Sequence, residues 1–174
     1  MVLSISPTTD GERKDVDVPS ISPFLWYPHS VEGPLALYRL AFPDAIVSDE
    51  QSIPHDDGSH AVSYARLTMA GVTLTLFNGG DGVDFRFNES VSLFISCDTA
   101  AEVDHLWSTL TEGGTPGRCG WLKDRYGVSW QVVPTLLGQL MGGPDPAASK
   151  RVFDAMMTMS KLESDLLQKA YDGQ

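Results

Sequence analysis

Between Ile21 and Pro134 the apolar positions follow two rhythms, one of period two and one near 3.6, and they run through the same order twice. The run "ISPFLWYP" (Ile21–Pro28), apolar, aromatic and bounded by prolines, predicts a buried strand whose first residues tolerate Pro23 because no ladder donor is needed there. Val31, Leu35, Tyr38 and Phe42 then recur at spacings of four, three and four, which predicts a helix from Ser30 that stops at Pro43. Pro34 falls in its first turn, where a missing N–H has no intrahelical partner. "AIVSDEQS" and "AVSYARLTMAGVTLTLFNGG" supply three strands, with the polar "IPHDDGSH" as a loop and Ala70-Gly71 as a hairpin turn. The glycine-rich and charged "GDGVDFRFNES" (Gly80–Ser90) predicts a crossing loop.

The second half repeats the first. "VSLFISC" (Val91–Cys97) predicts a strand, Asp98 or Thr99 caps a helix carrying Val103, Leu106 and Leu110, and Gly113-Gly114 ends it. At an offset of 68 residues those three apolar positions superpose on Leu35, Tyr38 and Phe42. "RCGWLKD" and "VSWQVVP" supply further strands around a Tyr126-Gly127 corner. Duplication of this kind predicts two similar modules that pack together, because one short module buries too little apolar surface alone. Behind them, Asp145 reads as an N-cap with Pro146 at the first helical position, and Ser160 with Glu163 has capping-box spacing, so two short helices broken near Ser160 are predicted from Pro146 to Tyr171. Met156, Met157 and Met159 are read as packing residues of that region. Met1–Pro19 shows neither period and predicts a loose arm. The division is therefore an arm at 1–19, a domain at 20–142 with modules near 20–80 and 88–136, and a helical extension at 143–174. The fold class is α+β.

Composition narrows the function. With 42% hydrophobic residues and four Trp, 174 residues bury a core of ordinary size. Twelve basic against 23 acidic residues give a charge of -11, which repels phosphate backbones and anionic lipid, so neither nucleic acid nor a membrane surface is an expected partner. Cys97 and Cys119 are expected as free thiols, and no apolar signal core flanked by basic residues stands near the start, so the expected location is cytoplasmic. The longest apolar runs, such as Val72–Phe77, are far short of the ~20 residues of a membrane-spanning helix.

The strings "SPFLWY", "LYRLAFPDA", "FNGGDGVDFRFNESVSLFISCDTAAEVDHLW", "EGG" and above all "CGWLKDRYGVSWQVVP" resemble the PhnB-like branch of the vicinal oxygen chelate superfamily, which also contains glyoxalase I, extradiol dioxygenases and bleomycin-resistance proteins. The likeness runs from about Ile21 to Tyr171, with a paired-helix tail. It implies two βαβββ modules whose mixed sheets curl into an open cup, commonly completed as a homodimer. In metal-using members, four cup-facing positions supply His or carboxylate ligands that converge on a divalent ion. Carried over one at a time, those positions fall at Pro23 (or Ser22), Leu74, Ser92 and Gln131, none of them a usual ligand. No metal and no other cofactor is expected. Many members carry a methyltransferase label, but a nucleotide-type cofactor needs a glycine-rich turn leading into a helix, and "NGGDG" (Asn78–Gly82) leads into a loop.

The histidines supply no replacement set. His55 and His60, near Asp56 and Asp57, lie in a polar loop without rigid spacing; His105 borders the apolar stripe of the second helix; His29 follows the first strand at the cup rim. Alternation places Pro23, Leu25 and Tyr27 on one face, likewise Leu74, Leu76 and Asn78, then Ser92, Phe94 and Ser96, then Ser129, Gln131 and Val133. If Gln131 faces the cup, so do these. The expected ligand-binding set is Leu25, Tyr27, Leu74, Asn78, Ser92, Phe94 and Gln131, holding a small apolar or aromatic metabolite by stacking on Tyr27 and Phe94. The alternative is a metal-independent enzyme using Tyr27, Asn78 or Asp84 as a polar group. No Ser/His/Asp or Cys/His set accompanies them, and Cys119 has only Arg118 beside it to favour thiolate.

Overall fold

The computed structural model describes residues 21–54, 61–80, 82 and 84–174. The arm expected at Met1–Pro19 and the histidine-bearing loop with His55 and His60 lie outside the described residues.

The first module comprises β1 (Phe24–Tyr27), α1 (Glu32–Ala41), β2 (Ile46–Pro54), β3 (Ala61–Met69) and β4 (Val72–Asn78). Its sheet has the order β1-β4-β3-β2, with β1 parallel to β4 and the other pairs antiparallel. The second comprises β5 (Leu93–Cys97), α2 (Ala100–Thr111), β6 (Thr115–Pro116), β7 (Trp121–Lys123) and β8 (Ser129–Pro134), and its sheet repeats the topology as β5-β8-β7-β6. The strand and helix order that periodicity predicts is the order found except for β6, a two-residue strand in what the pattern reads as the turn after α2.

Local chemistry fixes the boundaries. The β3–β4 hairpin turns on Ala70 and Gly71 at φ 46° and 78°, the left-handed pair of a type I′ turn. Thr99, not Asp98, caps α2: its hydroxyl accepts from the Glu102 N–H at 3.2 Å, and the Glu102 carboxylate accepts from the N–H of Asp98 and Thr99 at 2.8 and 2.9 Å. Those bonds, that from Thr99 foremost, hold the Glu102 carboxyl below its ordinary range. β2 runs through Ile53 and Pro54 into what composition reads as loop, because beyond a register shift between Val47 and Asp49 it pairs with β3 without a break to Pro54 and Ala61.

The helix-bearing faces of both sheets meet in one core. Val31, Leu35 and Tyr38 of the first module pack with Val103, Leu106, Leu110, Trp130 and Val132 of the second. Tyr38 meets Trp130 edge-on at 5.2 Å, and Phe42 stacks on the same indole at 6.2 Å. Each fully buried Leu here contributes about 1.5–3 kcal/mol. The opposite face of each sheet points away from this core.

Three helices follow β8: α3 (Thr135–Met141), α4 (Pro146–Met156) and α5 (Ser164–Asp172). Asp145 caps α4, accepting from the N–H of Ala147 and Ala148 at 2.9 and 3.2 Å, with Pro146 at the first helical position. The Ser160–Glu163 spacing does not form a capping box. Ser160 donates instead to the Gly117 carbonyl, and α5 starts at Ser164 with Glu163 at the cap position, its carboxylate paired with Lys161 Nζ at 3.0 Å and not with the helix N–H groups. α3, which the sequence pattern did not predict, joins α4 and α5 around a second, smaller core of Leu140, Val152, Leu162 and Leu167.

Candidate functional site

On the outward face of the second sheet, three side chains stand abreast. Phe94 on β5 and Trp121 on β7 are both register partners of Gln131 on β8. Ser96 and Val133 form the next row, since successive residues of a strand alternate faces. Beside them lie Leu137, Gly138 and Met141 of α3 and Met156 at the end of α4, which wall an open cavity of about 620 Å³ with Cys119 at its side. None of its lining residues is charged.

Gln131 donates from Nε2 to the Ser92 Oγ at 2.9 Å, so half of its amide is satisfied by the protein. Its Oε1 has no protein partner among the described residues and is left for water or a guest. Cys119 adopts φ 56° because the chain there is clamped: its N–H donates to the Met159 carbonyl at 2.8 Å, and the Arg118 Nη2 donates to the Met157 carbonyl at 2.7 Å. Its thiol points to the Met156 carbonyl at 3.5 Å and the Met157 sulfur at 3.7 Å.

The seven expected site residues do not share one face. Phe94 and Gln131 line this cavity and Ser92 is bonded to Gln131. Leu25, Tyr27, Leu74 and Asn78 belong instead to the helix side of the first sheet, exposed by 7%, 2%, 0% and 5%. The shared-face expectation is corrected there: α1 covers the face that carries Leu25 and Tyr27, so the outward residues of those strands are Phe24, Trp26 and Phe77. Leu74 does meet Ser92 and Phe94 in another cavity, about 410 Å³, where the hairpin of the first module abuts β5. Leu25 and Ser92 border a third of about 290 Å³. Tyr27 and Asn78 line none of the three. The Asn78 Oδ1 accepts from the Gly80 N–H at 2.9 Å in the turn that ends β4.

Tyr27 belongs to a buried polar network. Its hydroxyl shares a hydrogen bond with that of Tyr38 at 2.9 Å, and Tyr38 donates to the Asp124 Oδ2 at 2.8 Å. Asp124, 3% exposed, also accepts from the Trp130 Nε1 at 2.9 Å and from the N–H of Tyr126 and Val128 at 2.9 and 3.1 Å. Sequence reading gave this residue no role; the only signal was an acid inside the apolar "WLKD" string. Burial pushes both phenols well above their ordinary range, so Tyr27 keeps its proton and does not serve as a base at neutral pH. Asp84, the other candidate of that kind, is exposed and borders none of these cavities.

The donor set does not fit a divalent ion. Pro23 and Leu74 offer no side-chain donor, and the Ser92 hydroxyl and Gln131 amide are neutral and bonded to each other. Among the described residues, no three His, Cys, Asp or Glu side chains converge. His105 donates from Nε2 to the Ala41 carbonyl at 3.1 Å between α2 and α1, and His29 is exposed. Nor, among the described residues, does a helix follow the glycine-rich turn after β4, since the next element is β5.

This fold, two βαβββ modules with outward sheet faces, is that of the vicinal oxygen chelate superfamily. A family model described as 3-demethylubiquinone-9 3-methyltransferase matches residues 19–133, and the chain belongs to that PhnB-like family. Among solved structures it is similar to the PhnB protein of Bacillus cereus, with 23% identity and TM-score 0.61 over 67% of this chain and 100% of that one. Protein PA1353 of Pseudomonas aeruginosa gives 19% and 0.59 over 67% and 98%. The fosfomycin resistance protein FosX of Listeria monocytogenes gives 16% and 0.50 over 72% and 98%. At these identities the likeness establishes the fold alone. The comparison with curated proteins found no match. No described helix is long and apolar enough to cross a membrane.

Proposed function

We propose that this protein binds a small, mainly apolar or aromatic metabolite in the cavity under α3, without a metal ion, as a cytoplasmic homodimer. The observation that carries the reading is the row Phe94–Gln131–Trp121: two aromatic faces flanking an amide whose acceptor has no protein partner among the described residues, beneath an uncharged roof. A cavity of about 620 Å³ with few polar groups is of the size and makeup that small ligands occupy. The donor chemistry at Ser92 and Gln131 supports binding without a cation. The dimer is supported by the outward face of the first sheet, where Phe24 and Phe85 are 56% and 55% exposed and join Trp26 and Phe77 in one aromatic patch that a second copy of the chain would cover.

The test is a thermal-shift screen of the pure protein against divalent metals, S-adenosylmethionine and aromatic metabolites, with elemental analysis of bound metal. A ligand at a hundred times its Kd adds about 2.7 kcal/mol, a rise of roughly 5–10 °C for a chain of this size. Such a shift with an aromatic metabolite, and none with metals, is the expected result. Stoichiometric bound metal, or saturable binding of S-adenosylmethionine, would overturn it.

A further inference from the structure

Half of the cavity's wall is built by chain that lies beyond the family match. That match ends at residue 133, yet Pro134, Thr135, Leu137, Gly138, Met141 and Met156 line the same space as Phe94, Trp121 and Gln131. These helices do not hang loosely over the sheet. The N–H groups of Cys119 and Gly120 donate to the carbonyls of Met159 and Ser160, each at 2.8 Å, and Val132 N–H donates back to the Gly120 carbonyl at 2.8 Å. A Cβ on Gly120 would stand 3.1 Å from Leu162 Cδ1, so the tail's own core seats directly on that turn. An open sheet face has thereby become a walled cleft within one chain, with Phe94 at its mouth still 59% exposed.

Its lining offers no partner to a charge. An anion against this lining would exchange part of its hydration for apolar contact and meet no cation, because no lining side chain is basic. A cation would meet no carboxylate for the same reason. What the wall does offer is apolar and aromatic contact and one directed acceptor, Gln131 Oε1. We propose that the C-terminal helices fix the ligand class: an uncharged ring compound bearing an N–H or O–H for Gln131, with its length limited by α3 and the end of α4. This rests on the cavity being the binding site, as proposed above.

Two fluorescent probes with the same ring system separate the two statements. N-phenyl-1-naphthylamine is neutral and has one N–H; 8-anilinonaphthalene-1-sulfonate adds an anionic group. Titrations in 1 M NaCl, where screening shortens to about 3 Å, remove the repulsion from the chain's overall charge. The neutral probe is expected to saturate, the sulfonate to bind about tenfold more weakly, and Gln131→Leu to weaken the neutral probe by about threefold to tenfold. The blocking variant is Gly138→Leu: Gly138 lines the cavity and a Cβ there meets nothing within 4 Å, so the added side chain is expected to narrow the cavity without a clash at its root. Met141→Trp, at a site 37% exposed, narrows the same space by another route. Loss of neutral-probe binding in both variants, with the sulfonate weak throughout, supports the proposal. Equal binding of the two probes, both lost on blocking, overturns the neutral-ligand inference and leaves the cavity standing as the site. Neutral-probe binding that is absent, or indifferent to both variants, overturns the cavity reading itself.

Discussion

The hydroxyl of Tyr38 donates to the carboxylate of Asp124 at 2.8 Å across a sequence separation of 86 residues, tying the helix of the first module to the β7–β8 corner of the second. Asp124 holds four donors in a site closed to water, so removing it strands all four. Asp124→Ala is expected to cost about 3–5 kcal/mol. Tyr38→Phe removes one donor and is expected to cost about 1–2 kcal/mol. Urea unfolding followed by far-UV circular dichroism reads both, and a loss below 1 kcal/mol for Asp124→Ala would contradict the hub role.

Alkaline pH should destabilise the protein. Burial pushes the Cys97 thiol up to about 11 and raises the phenols of Tyr27 and Tyr38 above their ordinary value. The unfolded chain therefore sheds protons, from about pH 9 for the thiol and about pH 10 for the phenols, that the folded chain retains. The stability these groups contribute is fully present below those values and declines as pH rises toward the folded ones, by up to about 1.4 kcal/mol per pH unit for each group. Denaturant midpoints measured from pH 8 to 11 should be flat at first and then fall. In Cys97→Ala the decline should begin about one unit later.

Gly120 and Gly138 should respond oppositely to a side chain. Gly120 sits at φ 83°, and a Cβ would stand 2.7 Å from the Val132 carbonyl oxygen. Gly120→Ala is thus expected to cost about 2–4 kcal/mol and to loosen the Cys119–Ser160 clamp. Gly138 is helical with open space beside it, and Gly138→Ala is expected to stabilise by about 0.5–1 kcal/mol. Thermal melts of the two variants decide the matter, and a shift of the same sign in both would refute the geometry.

The aromatic patch of the first sheet predicts an association phenotype. Phe24→Asp with Phe85→Asp places two acids on the outward face without touching the shared core. Sedimentation equilibrium should show a dimer for the parent chain and a monomer for the variant, with unchanged circular dichroism. A monomeric parent would remove the dimer from the proposal.

Much of the fold was legible because each signal was local. Ala70-Gly71 fixes a hairpin, Asp145-Pro146 starts a helix, and the apolar spacing of α1 recurs in α2. The site was only half legible, for a specific reason. Alternation says which residues share a face but not which way the face turns, and β1 is apolar on both sides: Leu25 and Tyr27 on one, Phe24 and Trp26 on the other. In β5 the outward side carries Ser96, so the choice was easier. α3 was hidden by its seven-residue length and the glycine at its centre, which together leave little periodic signal. The role of Asp124 depends on Tyr38, 86 residues away, and no pattern within a strand can announce it.

The tail's separate core of Leu140, Val152, Leu162 and Leu167 has a kinetic meaning. A unit with its own small interior detaches at lower free energy than the domain it rests on, so amide exchange in α3 to α5 should outpace that in β4 and β8. Breathing of these helices would then remove one wall of the cavity, and a guest's residence there could be lengthened by mutations that never touch it.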